Sequence, residues 1–152
     1  MSSEPIDSFT GPFDFLSNFF ALKVVLDGVE YPTLEHAFQA AKTHAAEERA
    51  KILNCPTPGS AKRMGKKVKL RPDWENVKLG IMEALVRQKF GDPELKARLL
   101  KTRDRVLIEG NHWNDTFWGV CRGKGRNHLG RILMKVRDEL KATETQKRAE
   151  KI

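Results

Sequence analysis

The stretch Tyr31-Pro32-Thr33-Leu34-Glu35-His36-Ala37-Phe38-Gln39-Ala40-Ala41-Lys42 limits what this chain can fold into more than any other. Thr33 after a proline reads as an N-cap, and Leu34 to Lys42 holds no glycine, proline or β-branched residue, so a helix starts here. Leu34, Phe38 and Ala41 make an apolar line at helical spacing, with alanines over much of the remaining surface. A helix so rich in alanine and phenylalanine is expected to be buried. Glu35, Gln39 and Lys42 nevertheless share one stripe at i, i+4 and i+7. A polar stripe on a buried helix must find partners or line a cavity that takes a ligand. In the first turn the helix dipole favours the Glu35 anion, while burial pushes the other way. The alternative is a solvated Glu–Lys face on a surface helix.

The rest of the chain supplies the scaffold. At 152 residues it suits one domain over 1–152 with a real core, here placed at about 9–140. Residues 1–8 read as a loose leader and 141–152 as a charged, frayed tail without an apolar face. Phe9 to Phe20 is an aromatic-rich loop broken by Gly11 and Pro12. Asp27-Gly28 between Leu22–Leu26 and Val29–Tyr31 predicts a type I′ hairpin. Helices are expected over Ala45–Leu53, Asp73 to Phe90 (with Trp74, Val77, Ile81, Leu85 and Val86 inward), from Asp92-Pro93 to Leu100, and His128 to Leu140, with a short basic helix or turn over Ala61–Lys67. Val68–Leu70 and Val106–Ile108 read as short strands. The class is α+β, a helix-dominated domain with a few short strands.

Charge narrows the partners. The net charge is +8, and the run from Arg49 to Pro72 carries eight lysines and arginines without one acid. That favours an anionic partner, a nucleotide, a phosphorylated metabolite or nucleic acid, though such runs are also ordinary solvated faces. No apolar run approaches a membrane span, and Met1-Ser2-Ser3-Glu4-Pro5 does not read as a signal peptide. Cys55 and Cys121 have neither zinc nor redox spacing, which suits free thiols and a cytoplasmic location. The four histidines show no ligand spacing, so neither a metal nor a cofactor is expected.

Two further segments carry candidate chemistry. Gly123 and Gly125 among Arg122, Lys124 and Arg126, just before a helix, could cradle a phosphate on backbone N–H groups, or form an exposed turn. It is not a Walker A loop, because Gly125 follows Lys124 where Ser or Thr is required. Asn111 to Trp118 holds Trp113 and Trp118 for stacking a flat heterocycle, and Asp115 either as an acid–base partner for Glu35 or as a backbone cap.

Taken in order, F-x-G-x-F-x-F-L-S-N-F-F (from Phe9), Y-P-T-x-E-H-A-F-Q-A-A-K (from Tyr31), T-P-G-x-A-K-R-x-G (from Thr57) and L-R-x-D-W (from Leu70) form a pattern. It continues with L-I-E-G-N-x-W-x-D-x-F-W-G (from Leu107) and G-x-N-x-L-G-x-I-L-M-x-V-R (from Gly125). The pattern resembles the YbiA-like family, also called NADAR for its association with NAD and ADP-ribose metabolism. One departure is Thr102-Arg103-Asp104, where the family often has Thr-Gly-Asp. The resemblance implies N-glycosidase activity, either on phosphoribosylamino intermediates of riboflavin synthesis or on ADP-ribose attached to guanine in DNA. A non-catalytic module that binds ADP-ribose or nucleic acid is the competing expectation.

Cleaving a ribosyl C–N bond needs a carboxylate near C1, a proton donor for the leaving nitrogen and a platform for the base. Glu35 is the expected acid/base, supported by Asp115. Lys42 either binds an anionic oxygen or attacks C1 to form a Schiff base. Asn18 and Asn111 would orient the ribose hydroxyls, Gln39 is a further substrate-binding residue, and Trp113 or Trp118 would stack the base. Lys62, Arg63, Arg122, Lys124 and Arg126 would hold phosphate.

Overall fold

A computed structural model describes residues 3–151 of the chain. Among them are six α-helices, one 3₁₀ turn and two two-stranded sheets, the α+β class expected. The chain forms two compact units, Asn18–Lys89 and a second one built from residues 1–17 and 90–152.

In the Asn18–Lys89 unit, β1 (Ala21–Leu26) and β2 (Val29–Thr33) pair antiparallel, with Val24 opposite Tyr31 and Leu26 opposite Val29. Asp27 and Gly28 both have positive φ (49° and 81°), the type I′ turn that the Asp-Gly pair predicts. Thr33 then caps α1 (Leu34–Ala40), its hydroxyl accepting from the His36 N–H. All residues of α1 are buried, because the hairpin, α2 (Ala46–Leu53), α3 (Pro58–Gly65) and α4 (Trp74–Lys89) pack around it. Phe38 meets Trp74 with ring centroids 5.1 Å apart.

His36 explains how α1 is pinned. Its Nε2 lies 3.0 Å from the Cys55 carbonyl, which can only accept, so Nε2 carries the proton and Nδ1 accepts from the Thr33 hydroxyl at 2.8 Å. This histidine is structural.

In the second unit, Ile6 is buried and pairs in parallel with Leu107, its N–H donating to Val106 and its carbonyl accepting from Ile108, both at 2.8 Å. A 3₁₀ turn (Gly11–Leu16) sets Phe15 edge-on to Phe90, and Asp92 caps α5 (Pro93–Leu100). β3 (Gly110–Asn111) and β4 (Val120–Cys121) are a two-residue parallel pair, and α6 (His128–Glu150) closes the chain.

Several local expectations are corrected. Residues 1–8 are not a loose leader throughout, since Ile6 is tied to Leu107. Their first two residues, like the last of the tail, lie outside the described residues. Val68–Leu70 forms no strand, and Val106–Ile108 contributes only a bridge, because each lacks a second partner to extend a ladder. α3 begins at Pro58, earlier than the expected Ala61, with the proline in the first helical position behind a Thr57–Ser60 capping box. The apolar face of α4 turns toward Met82 and Lys89, leaving Val77 and Ile81 half-buried. α6 continues past Leu140 to Glu150 as an exposed helix carrying Lys141–Asp104 and Lys96–Glu144 ion pairs.

Candidate active site

The polar stripe on α1 is buried. Glu35 is 7% exposed and Gln39 4%, so the solvated-face alternative fails. Glu35 sits in the first turn with its N–H donating to the Asn18 carbonyl at 3.1 Å. The Asn18 side chain donates to Met82 Sδ at 3.6 Å, which fixes this entry to the helix. One turn on, Gln39 Nε2 donates to Glu35 Oε1 at 3.4 Å. Gln39 Oε1 is buried and has no hydrogen-bond partner.

Lys42 lies just beyond the end of α1 and is half-buried, with no side-chain ion pair or hydrogen bond among the described residues. Burial holds its pKa below the ordinary lysine range; the Glu35 carboxylate pulls it back up, and Lys66, Lys62 and Lys78 push it down. The amine therefore has one carboxylate and three ammonium groups in its surroundings, an arrangement suited to an anionic ligand. Lys66 and Lys78 are not among the residues expected from sequence. Lys66 was legible in the basic run, and Lys78 stands one turn after Trp74, whose ring packs on Phe38 of α1. Lys62 is half-buried and Arg63 exposed on α3.

Arg71 secures the exit from α1. Its N–H donates to the Lys42 carbonyl at 2.7 Å, while its guanidinium takes both Asp73 oxygens at 2.6 and 3.0 Å.

The second unit holds the other candidates, and there the polar groups are committed to one another. Asn111 Nδ2 donates to the Asp115 carbonyl (2.8 Å) and to Glu109 Oε2 (3.0 Å), while its Oδ1 accepts from the Asp115 N–H. Asp115 Oδ1 accepts from the N–H groups of Phe117 and Trp118 at 3.1 and 2.9 Å, the capping alternative. Trp118 is half-buried beside Phe117 and His128, whereas Trp113 is 48% exposed.

Part of the expected backbone phosphate cradle is already occupied. Arg122 and Gly123 have positive φ (51° and 76°), and Cys121 and Lys124 exchange both N–H···O bonds, so the segment is a tight turn. The N–H groups of Arg126, Asn127, His128 and Leu129 donate to the carbonyls of Thr116, Gly119, Phe117 and Trp118. The start of α6 is thus satisfied by the preceding loop, leaving these donors closed to an anion. The Arg122, Lys124 and Arg126 side chains are exposed, and Arg122 Nη1 donates to Asn114 Oδ1. No cluster of three or more metal-ligating side chains is present among the described residues.

Comparison with known proteins decides the family. The profile of the NADAR domain matches residues 7–141. The chain belongs to the NADAR family. It is 41% identical to the N-glycosidase YbiA of Escherichia coli (strain K12) over 128 residues, covering 82% of this chain and 79% of that protein. An N-glycosidase of Nostoc punctiforme is 36% identical over 137 residues (86% of this chain, 87% of that one). A riboflavin biosynthesis protein of Vibrio vulnificus is 38% identical over 130 residues, 83% of this chain but 35% of its own length. The NMR structure of Escherichia coli YbiA superposes with a TM-score of 0.82 at 37% identity, covering 95% of this chain and 89% of that one. The NADAR match includes the Glu35–Lys42 stripe and the Asn111–Arg126 segment. Among the described residues no helix is long and apolar enough to cross a membrane.

Proposed function

We propose that this N-glycosidase, a hydrolase acting on N-glycosyl bonds, cleaves the ribosyl C1–N bond of a phosphate-bearing small molecule such as a phosphoribosylamino-pyrimidine. The observation that carries the reading is the pair Glu35 and Gln39 buried on α1, with Gln39 Oε1 lacking a partner among the described residues and half-buried Lys42 just past the helix among further lysines. Glu35 in its acid form donates a proton to the leaving nitrogen as the C1–N bond breaks. Water then adds its oxygen to C1 and returns a proton to the Glu35 carboxylate. Lys42 either binds an anionic oxygen as its ammonium or, deprotonated, attacks C1; the lowering of its pKa by burial favours the second role. Lys62 and Arg63, joined by Lys66 and Lys78, hold phosphate in this reading, and Asn18 orients the sugar.

Asp115 and Asn111 have prior duties within their loop, so any acid–base work of Asp115 falls to Oδ2. Within its own unit, Trp113 is the more exposed indole and the better placed of the two to stack a flat ring. Arg122, Lys124 and Arg126 offer side-chain charge to an anion in that same unit. A second reading, release of ADP-ribose from modified guanine, is favoured by the number of lysines around Lys42, which suits a pyrophosphate.

The test is incubation with a phosphoribosylamino-pyrimidine and, separately, with ADP-ribosylated guanine DNA, following products by mass. Ribose phosphate from the first supports the primary reading, and ADP-ribose from the second alone replaces it. Glu35→Gln is expected to lower turnover by roughly 10²–10⁴-fold, the usual contribution of general acid–base catalysis. A loss within tenfold removes Glu35 from the role.

A further inference from the structure

Gly65 is the last residue of α3. Its φ is not in the left-handed region, so no backbone requirement selects glycine there. What selects it is space: a Cβ at this position would lie 1.9 Å from Gln39 Oε1, 2.7 Å from Gln39 Cδ and 3.2 Å from Gln39 Cβ. The nearest atoms a methyl group would meet all belong to this one side chain. Gln39 is 4% exposed, so its side chain lies within the core.

We infer that Gly65 is a positioning residue for the proposed acid/base: by lacking a side chain it seats the Gln39 amide, and the seated amide holds Glu35. The inference rests on the Glu35 reading above. Three observations meet in it. Gln39 Nε2 reaches Glu35 Oε1 at 3.4 Å, a long bond that a shift of a few tenths of an ångström breaks. Gln39 Oε1 has no donor, so no other hydrogen bond anchors that end of the amide, and the wall at Gly65 takes the place of one. Glu35 and Gln39 are i and i+4 on one helix, so moving the amide acts directly on the carboxylate above it. An added methyl at Gly65 must push either the amide off Glu35 or α3 off α1.

A variant set tests this on the full-length chain, with the phosphoribosylamino-pyrimidine as substrate. Gly65→Ala is expected to lower kcat at least tenfold with KM changed less than threefold, as a misplaced catalytic group does. Gln39→Ala is expected to lower kcat similarly. The double variant Gly65→Ala/Gln39→Ala should be no worse than Gln39→Ala alone, because the clash has gone with the amide. Gly65→Ala/Gln39→Asn, whose amide is one methylene shorter, should recover part of the activity lost in Gly65→Ala. The proposal is overturned if Gly65→Ala keeps kcat within threefold of wild type, or if the two single losses multiply in the double variant. Should Gly65→Ala fail to fold, Gly65→Ala/Gln39→Ala must fold; an unfolded double variant shows that Gly65 serves something other than Gln39. Failure of the Glu35 reading looks different. Glu35→Gln would then stay active, while the melting temperatures would still show Gly65→Ala harmful only where Gln39 is present.

Discussion

Two polar clusters of this protein, one in each unit, are built in opposite ways. Around Asn111, Asp115 and Asn127, side-chain groups are used up within the loop. Asn111 makes hydrogen bonds through both ends of its amide, Asp115 Oδ1 holds two N–H groups, and Asn127 accepts from the Glu109 N–H and donates to the Leu107 carbonyl, both at 2.9 Å. Among the described residues, Gln39 Oε1 on α1 is buried without a donor, and Lys42 just past the helix is half-buried without an ion pair. Buried groups that are satisfied stabilise a fold, and buried groups left short of partners are kept at a cost in stability for something else. The first cluster is a clamp. The second is the one we propose to be reactive.

Breaking each side of that contrast should give opposite results. Lys42→Met is expected to reduce turnover by at least about tenfold, in line with loss of a group acting in the reaction, while raising the melting temperature slightly at neutral pH. The sign follows from linkage. The folded-state pKa of Lys42 lies below the unfolded one, so between the two the unfolded chain holds more protons and wild-type stability climbs with pH. The stability advantage of Lys42→Met should therefore be fullest below the folded pKa and vanish as pH rises to the ordinary lysine value of about 10.4. An advantage that grew with pH would contradict the assignment; thermal melts across pH 6 to 10.5 check it.

Asn127→Ala tests the clamp. It strips partners from the Glu109 N–H and the Leu107 carbonyl, at a cost of about 2–3 kcal/mol, or a melting temperature lower by roughly 4–12 °C. Differential scanning calorimetry reads this directly. The smallest effect is expected at Arg103, whose φ of 54° places it in the left-handed region. Glycine there, as the family often has, should stabilise by about 0.5–1 kcal/mol after the entropy of the unfolded glycine is set against the relieved strain. A denaturant melt of Arg103→Gly should show a higher midpoint with unchanged slope.

Sequence reasoning reached the α1 stripe because a polar i, i+4, i+7 set on an alanine-rich helix is a local pattern. The hairpin turn, the cap at Thr33 and the helix restart at Asp92-Pro93 were legible for the same reason, each being decided within four residues. What was not legible depends on distant partners. Ile6 is ordered by Leu107, about a hundred positions away, and the donors before α6 are closed by carbonyls from a loop whose path no spacing rule gives. Gly65 was visible as a glycine, but its reason lies in the Gln39 side chain of another helix. The Arg103 departure from the family pattern acquires its meaning only from the backbone angle.

The most direct test pairs one variant from each cluster, Glu35→Gln and Asn111→Ala, and measures turnover and melting temperature on the same preparations. The account predicts that Glu35→Gln loses roughly 10²–10⁴-fold in turnover and melts no lower than wild type. It predicts that Asn111→Ala melts several degrees lower and, kept below its transition, loses far less turnover than Glu35→Gln. A Glu35→Gln protein that stays active but melts early would contradict it, making the α1 stripe the clamp and leaving the chemistry to be sought elsewhere.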